Sequence, residues 1–115
     1  MSARRSLTAF WLVAGAMHFL RPEFYDAIVP PPLDRRARAV TYASGVAELA
    51  GALAAAAGAS RLARWWLLAT LAAVYPANVW MALHAERFTR YPRWGLYARL
   101  PVQLVFAWHV WRGTA

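Results

Sequence analysis

Cysteine and lysine are both missing from this 115-residue chain. Without cysteine, the chain alone can perform no thiol–disulfide exchange and hold no thiolate-bound metal. Acidic residues are scarce: 5 Asp+Glu stand against 13 basic residues, all arginine, for a formal net charge of +8. Also missing is a polar stripe along the run from Trp65 to Leu83, which contains no charge at all. A soluble helical bundle needs such a stripe on each of its surface helices. Its absence argues against a soluble four-helix protein.

What is present is apolar, and it comes in blocks. The chain is 61% hydrophobic, where an ordinary soluble domain has about 45–50%. Uncharged runs cover Ser6–Leu20 and Trp65–Leu83. Ala39–Ser60 is interrupted by Glu48 alone, and Leu100–Trp111 follows Trp94–Ala98 and a single Arg99. A bilayer core is crossed by roughly 20 apolar residues. Four spans, at about 4–20, 36–57, 62–83 and 94–111, use up the chain. The expectation is an all-α, integral membrane four-helix bundle forming a single transmembrane domain over residues 1–115. The lipid bilayer is then its first partner.

The arginines other than Arg99 gather at the span ends. In a soluble protein so basic a chain would suggest nucleic acid, but no nucleic-acid motif is present, and this placement suits anchoring to anionic headgroups. The side with the longer first connection holds seven of them (21, 35, 36, 38, 87, 90, 93) and the other side five (4, 5, 61, 64, 112). That is a slight vote for the first side facing the cytoplasm. The N-terminus imitates a signal peptide, with Arg4 and Arg5 before an apolar run and an A-x-A-like Ala14-Gly15-Ala16. We read it instead as a retained first span. Cleavage there would leave three spans and put His18 beside a new terminus.

The first connection reads "RPEFYDAIVPPPLDRR". Pro22 suits the first turn of a short helix, since its missing N–H is not needed there. Phe24, Tyr25, Ile28 and Val29 give that helix an apolar side, and Pro30-Pro31-Pro32 stops it. We expect a short amphipathic lid between helices 1 and 2, lying over one end of the bundle. Asp34 is the expected N-cap of the second span. Ser44, Gly45, Gly51 and Ala55 allow close helix approach in lipid. Pro76 and Pro101 fall inside the third and fourth spans. Trp65, Trp66, Trp108 and Trp111 mark an interfacial belt at the end away from the lid.

The polar residues inside the spans carry the functional signal. Helices alternate direction, so depth from the lid side follows from a rise of about 1.5 Å per residue. His18 lies roughly 4 Å in, Asn78 and Arg99 roughly 8 Å, Gln103 roughly 14 Å and Glu48 roughly 15–18 Å. All five fall in the half nearest the lid, and they come from all four helices. Only His109, within "WHVW", lies in the other half. A charge at a span centre costs about 2.5–3.5 kcal/mol. Glu48 and Arg99 are opposite in sign and compatible in depth, so the expectation points both inward, paired or bridged through Asn78, Gln103 or water. A protonated Glu48 is the other way to lower that cost. Asn78, close after Pro76, is a candidate to satisfy the backbone that proline disturbs.

Polar residues within a bundle can also be simple glue between helices, at about 0.6–2 kcal/mol each. Asn78 or Gln103 alone fits that role. The set that includes Glu48 and Arg99 fits a ligand or proton site, because ionisable groups in a membrane are functional by default. His18 fits either a lid hydrogen bond or a ligand or proton role. The set makes a poor metal site, since Arg99 repels cations and three good ligands are lacking. His84 and His109 read as interfacial. Tyr42, Tyr75, Trp80 and Tyr97 are candidates for an aromatic pocket, though such spacing more often means ordinary core contacts.

Four segments in order carry a resemblance: "GAMHFLRPEFYDAIVPPPL", "SGVAELAGAL", "YPANVWMAL" and "RLPVQLVFAWHVW". Together they resemble the DoxX-like membrane proteins over nearly the whole chain. The shared pattern falls on Gly15, His18, Phe19, Pro22, Phe24, Pro30 and Pro31, then on Ser44, Gly45, Glu48 and Gly51. It continues on Pro76, Ala77, Asn78, Arg99, Leu100, Pro101 and Gln103. The resemblance implies a four-helix membrane bundle, expected in a bacterial inner membrane. Some such proteins are membrane subunits of quinone-linked oxidoreductases and others are assembly factors. More distant relatives carry redox cysteines, which this chain lacks.

Three functions follow as expectations. The first is an accessory or subunit of a quinone-linked redox system, binding a quinone or similar amphiphile and meeting a membrane or peripheral redox protein. In it Arg99, His18 and Asn78 bond the ligand's oxygens, and Glu48 relays a proton. The chain is at most a membrane subunit of an oxidoreductase. The second is a non-catalytic assembly or scaffolding subunit. The third is a small proton or solute transporter, which needs a homo-oligomer because four short helices leave a narrow path.

Overall fold

The long helices follow the apolar runs, and proline and glycine mark only some of their ends. In the computed structural model, which describes residues 2–88 and 92–115, five helices account for most of the chain. They are α1 (Ala3–Leu20), α2 (Pro22–Asp26), α3 (Ala37–Ala56), α4 (Ser60–Leu83) and α5 (Arg93–Gly113). Ser2 caps α1 by accepting the Arg5 backbone N–H at 3.2 Å. Pro22 opens α2. Gly58, at φ +83°, closes α3, with Ala59 N–H donating back to the Ala54 carbonyl at 2.9 Å. This is the glycine-terminated helix end that satisfies orphan carbonyls. α4 and α5 continue through Pro76 and Pro101. The four long helices begin and end within two residues of the expected bounds.

Each long helix runs antiparallel to its neighbours, and the four close into a ring in the order α1, α3, α4, α5. Four contacts fix the register. Gly15 meets Gly45 and Leu49, Gly51 meets Leu67, Gln103 meets Leu71, and Phe10 meets Phe106. One apolar core fills the half of the ring away from the lid, built on Leu7, Trp11, Ala52, Ala55, Ala63, Leu67, Leu71 and Val110. At that end Arg64 lies 3.8 Å over the Trp111 ring and donates to Thr114 Oγ1 at 3.0 Å, which ties the start of α4 to the end of α5. Trp65, Trp66, Trp108 and Trp111 are all exposed there.

Two segments, Leu33–Ala56 and Ser60–Leu83, are long and apolar enough to cross a membrane. The fold is all-helical among the described residues. The expected cap at Asp34 is not found. Asp34 sits inside a 3-10 turn, Leu33–Arg36, that runs straight into α3, whose N-cap position is Arg36 with no side-chain bond. The carboxylate that steadies the start of α3 is Asp26. It accepts from Arg38 Nε at 2.8 Å and from Thr41 Oγ1 at 2.6 Å. Arg90, counted above among the lid-side arginines, lies outside the described residues.

Candidate functional site

The site grows from a close crossing of α1 and α3. A Cβ on Gly45 would lie 2.8 Å from His18 Cβ, and one on Gly15 would lie 3.1 Å from the Gly45 carbonyl oxygen. With no side chains between them, the two backbones bring His18 over Glu48. His18 Nε2 and Glu48 Oε2 are 3.0 Å apart, with both side chains about nine-tenths buried (8% and 10% exposed). His18 Nδ1 lies 2.8 Å from the Ala14 carbonyl oxygen. A carbonyl only accepts, so Nδ1 carries a proton. The 3.0 Å contact at Nε2 therefore holds one further proton, shared between imidazole and carboxylate. The pair is neutral in total whichever side keeps it. Tyr25, from the lid helix, stacks on the His18 ring with centroids 3.8 Å apart. Burial, with Glu48 adding and Arg99 opposing, raises the Tyr25 phenol above its ordinary value of 10.0, so it stays protonated.

The opposite wall comes from α4 and α5. Asn78 Nδ2 donates to Gln103 Oε1 at 3.2 Å, and Gln103 Nε2 donates to the Leu71 carbonyl at 2.9 Å. Between the walls lies a cavity of about 690 Å³. His18, Glu48, Asn78, Arg99 and Gln103 all line it, so the structure brings the five sequence-predicted residues around one space. The lid contributes Tyr25, Ile28 and Val29 above them. Phe10, Trp11 and Phe106 make its aromatic walls.

Three expectations about these residues are corrected. Glu48 pairs with His18 and not with Arg99. Counting depth from helix ends put His18 and Glu48 at different levels. The first turn of α3 overshoots the end of α1, and the lid fills that step through its Asp26 bonds to Arg38 and Thr41. His18 thus meets a residue well inside α3. Arg99 makes no hydrogen bond or ion pair among the described residues, and this half-buried residue lines the cavity. Nor does Asn78 serve the backbone near Pro76; Gln103 does, at Leu71, one residue before the Ala72 carbonyl that Pro76 leaves without its helical donor.

Of the aromatic candidates, Tyr42 stacks on Phe19, Tyr75 and Tyr97 are exposed, and Trp80 lines a second cavity. His84 bonds the Trp80 carbonyl at 2.9 Å. His109 meets Ser6 Oγ at 3.1 Å, at the far end of the bundle. Sequence reasoning missed Tyr25 as the partner of His18, and it missed Thr41. Thr41 lies seven residues before Glu48, and that two-turn spacing could have placed both on one face. No comparable signal pointed to Asp26. Among the described residues, no three His, Asp or Glu side chains converge.

Residues 7–114 match the family described as a domain of unknown function, DUF8561. The chain belongs to that family. No curated protein and no solved structure matches it. The DUF8561 match takes in α3, α4, α5, the lid and all but the first turn of α1, and so every residue of the cavity.

Proposed function

We propose that this chain is an integral membrane bundle of four spanning helices that binds a quinone-like or other amphiphilic molecule beneath its α2 lid. In this reading it serves a quinone-linked membrane redox system as an accessory protein or subunit. The DoxX-like resemblance belongs to the same proposal.

Support for the membrane comes from an inside-out distribution. Large apolar side chains are exposed on all four long helices, among them Val13, Leu53, Leu83 and Leu104. Among the described residues, five of the six buried polar side chains, His18, Thr41, Glu48, Asn78 and Gln103, lie in the lid half, and the sixth, Thr114, closes the far end of α5. A soluble bundle arranges these the other way round. The longest dimension, 42 Å, suits a bilayer with its interfacial regions, about 40–45 Å. α1 and α5 run alongside the two segments with spanning length and composition.

The observation that carries the ligand reading is the lidded cavity with polar groups from all four helices around it. Its size is within the ~300–1,000 Å³ usual for small-ligand sites. The His18–Glu48 pair already shares a proton, so it can pass one to or from a reducible headgroup. Native mass spectrometry of the protein in mild detergent tests the reading, with co-purified small molecules identified. A stoichiometric amphiphile, lost in Arg99→Ala or Glu48→Gln while the helices survive, is the expected outcome. An empty, folded bundle that takes up no added quinone or amphiphile overturns it.

A scaffolding role has one observation in its favour. The Asn78–Gln103–Leu71 chain ties α4 to α5 with its bonds made inside the protein, as helix glue does. A transport path is less well supported, because the apolar core fills the half of the bundle beyond the cavity.

A further inference from the structure

We infer that the occupant of the cavity carries one negative charge on its headgroup and a single apolar chain: a monoanionic, carboxylate-type amphiphile. The inference rests on reading the cavity as a ligand site and goes beyond it by fixing the charge and shape of the ligand. The ionisable groups lining the cavity are His18, Tyr25, Glu48 and Arg99. The His18–Glu48 pair is neutral in total, because Nδ1 is committed to Ala14 and one proton occupies the Nε2–Oε2 contact. Tyr25 is a neutral phenol. Asp26, the nearest other carboxylate in the lid, already faces Arg38 and Thr41. Arg99 is therefore the net charge of the cavity, and among the described residues nothing answers it.

A charge withdrawn from water without a partner is costly. The guanidinium fork matches a carboxylate in two parallel bonds. Of the neutral polar residues in the lining, Asn78 and Gln103 bond each other and Leu71. They add orientation and no charge. Ile28, Val40, Val74, Val102 and Phe106 supply apolar wall for a chain. The volume of about 690 Å³ suits one such chain with its head.

The test titrates the detergent-purified protein with 9,10-dibromostearate and reads quenching of tryptophan fluorescence, Trp11 being in the cavity wall. The dibromostearate methyl ester and a neutral short-chain ubiquinone are titrated alongside. The expected result is saturable quenching by the acid. The ester should bind at least about tenfold more weakly, as should the acid with Arg99→Gln, since each loses a charge-assisted bond. Arg99→Lys should retain most of the binding. Equal binding of acid and ester to the unsubstituted protein overturns the inference whatever the variants do. Saturable binding of the quinone alone also overturns it, and leaves the ligand site standing. No saturable binding by any of the three overturns both readings.

Discussion

His18 Nε2 and Glu48 Oε2, from residues thirty positions apart in sequence, meet at 3.0 Å with both side chains about nine-tenths buried. Both are held from behind, His18 by the Ala14 carbonyl and the Tyr25 ring, and both backbones by the Gly15–Gly45 crossing. The pair is therefore a fixed proton site and not a loose surface contact.

Removing its two halves should have unequal effects. Glu48→Gln can still donate an amide N–H to His18 Nε2, so it should cost about 1 kcal/mol or less. His18→Leu leaves the carboxylate buried without a partner, and breaking a buried pair in this way costs about 3–5 kcal/mol. Thermal unfolding of both variants in the same detergent measures the difference. Equal losses would mean that Glu48 has water or another partner in solution.

Gly45 controls whether that pair can form. Gly45→Ala would press a methyl group to 2.8 Å from His18 Cβ and 2.7 Å from Phe19 Cε2. Forcing the helices apart should cost about 1–3 kcal/mol. Gly95→Ala is the control. Among the described residues its added Cβ meets only Pro92, at 3.5 Å or more, within a helix. There alanine should stabilise by about 0.4–1 kcal/mol. Denaturant or thermal midpoints of the two variants should move in opposite directions, and a shared direction would count against the close crossing.

How much of this was legible in the sequence depends on what kind of contact is asked for. The long helices follow from proline, glycine and apolar runs, which act locally. The gathering of His18, Glu48, Asn78, Arg99 and Gln103 in one half follows from rise per residue. Which of them touch does not, because that depends on the offset of α3 against α1. The offset is fixed at the Gly15–Gly45 crossing, and the lid fills the resulting step through Asp26 bonds to Arg38 and Thr41, twelve and fifteen positions apart. Nothing in residue spacing announces a lid carboxylate that reaches the first turns of the next helix.

That lid contact should respond to acid. Burial pushes the Asp26 carboxyl up, but hydrogen bonds from Thr41 and Arg38 and the Arg38 charge outweigh it and hold it below its ordinary value of 3.8. A depressed carboxyl contributes stability that is present above the ordinary value. The contribution is lost as pH falls through the lower, folded-state value. Limited proteolysis of the connection between α1 and α3 should therefore stay slow at neutral pH and accelerate only as pH drops below 3.8. Asp26→Asn should be cut faster at neutral pH and lose most of that dependence. An unchanged profile would mean that the lid is held by its apolar side alone.

Trp11 offers a test in which a deletion should do no harm. It is 3% exposed, and its indole N–H finds no acceptor among the described residues. A buried donor left without a partner costs about 1–3 kcal/mol. Trp11→Phe removes that donor and keeps an aromatic ring against Phe10, which now meets the indole edge to face at 5.4 Å. The lost volume offsets part of the gain, so the variant should be neutral or stabilised by up to about 1 kcal/mol. Trp66→Phe supplies the contrast, because Trp66 Nε1 donates to the Ala47 carbonyl at 2.8 Å and ties α4 to α3. That variant should lose about 0.5–1.5 kcal/mol. If Trp11→Phe proves the more damaging of the two in thermal unfolding, its N–H has an acceptor in the folded protein, and a bound molecule reaching the cavity wall becomes the first place to look for it.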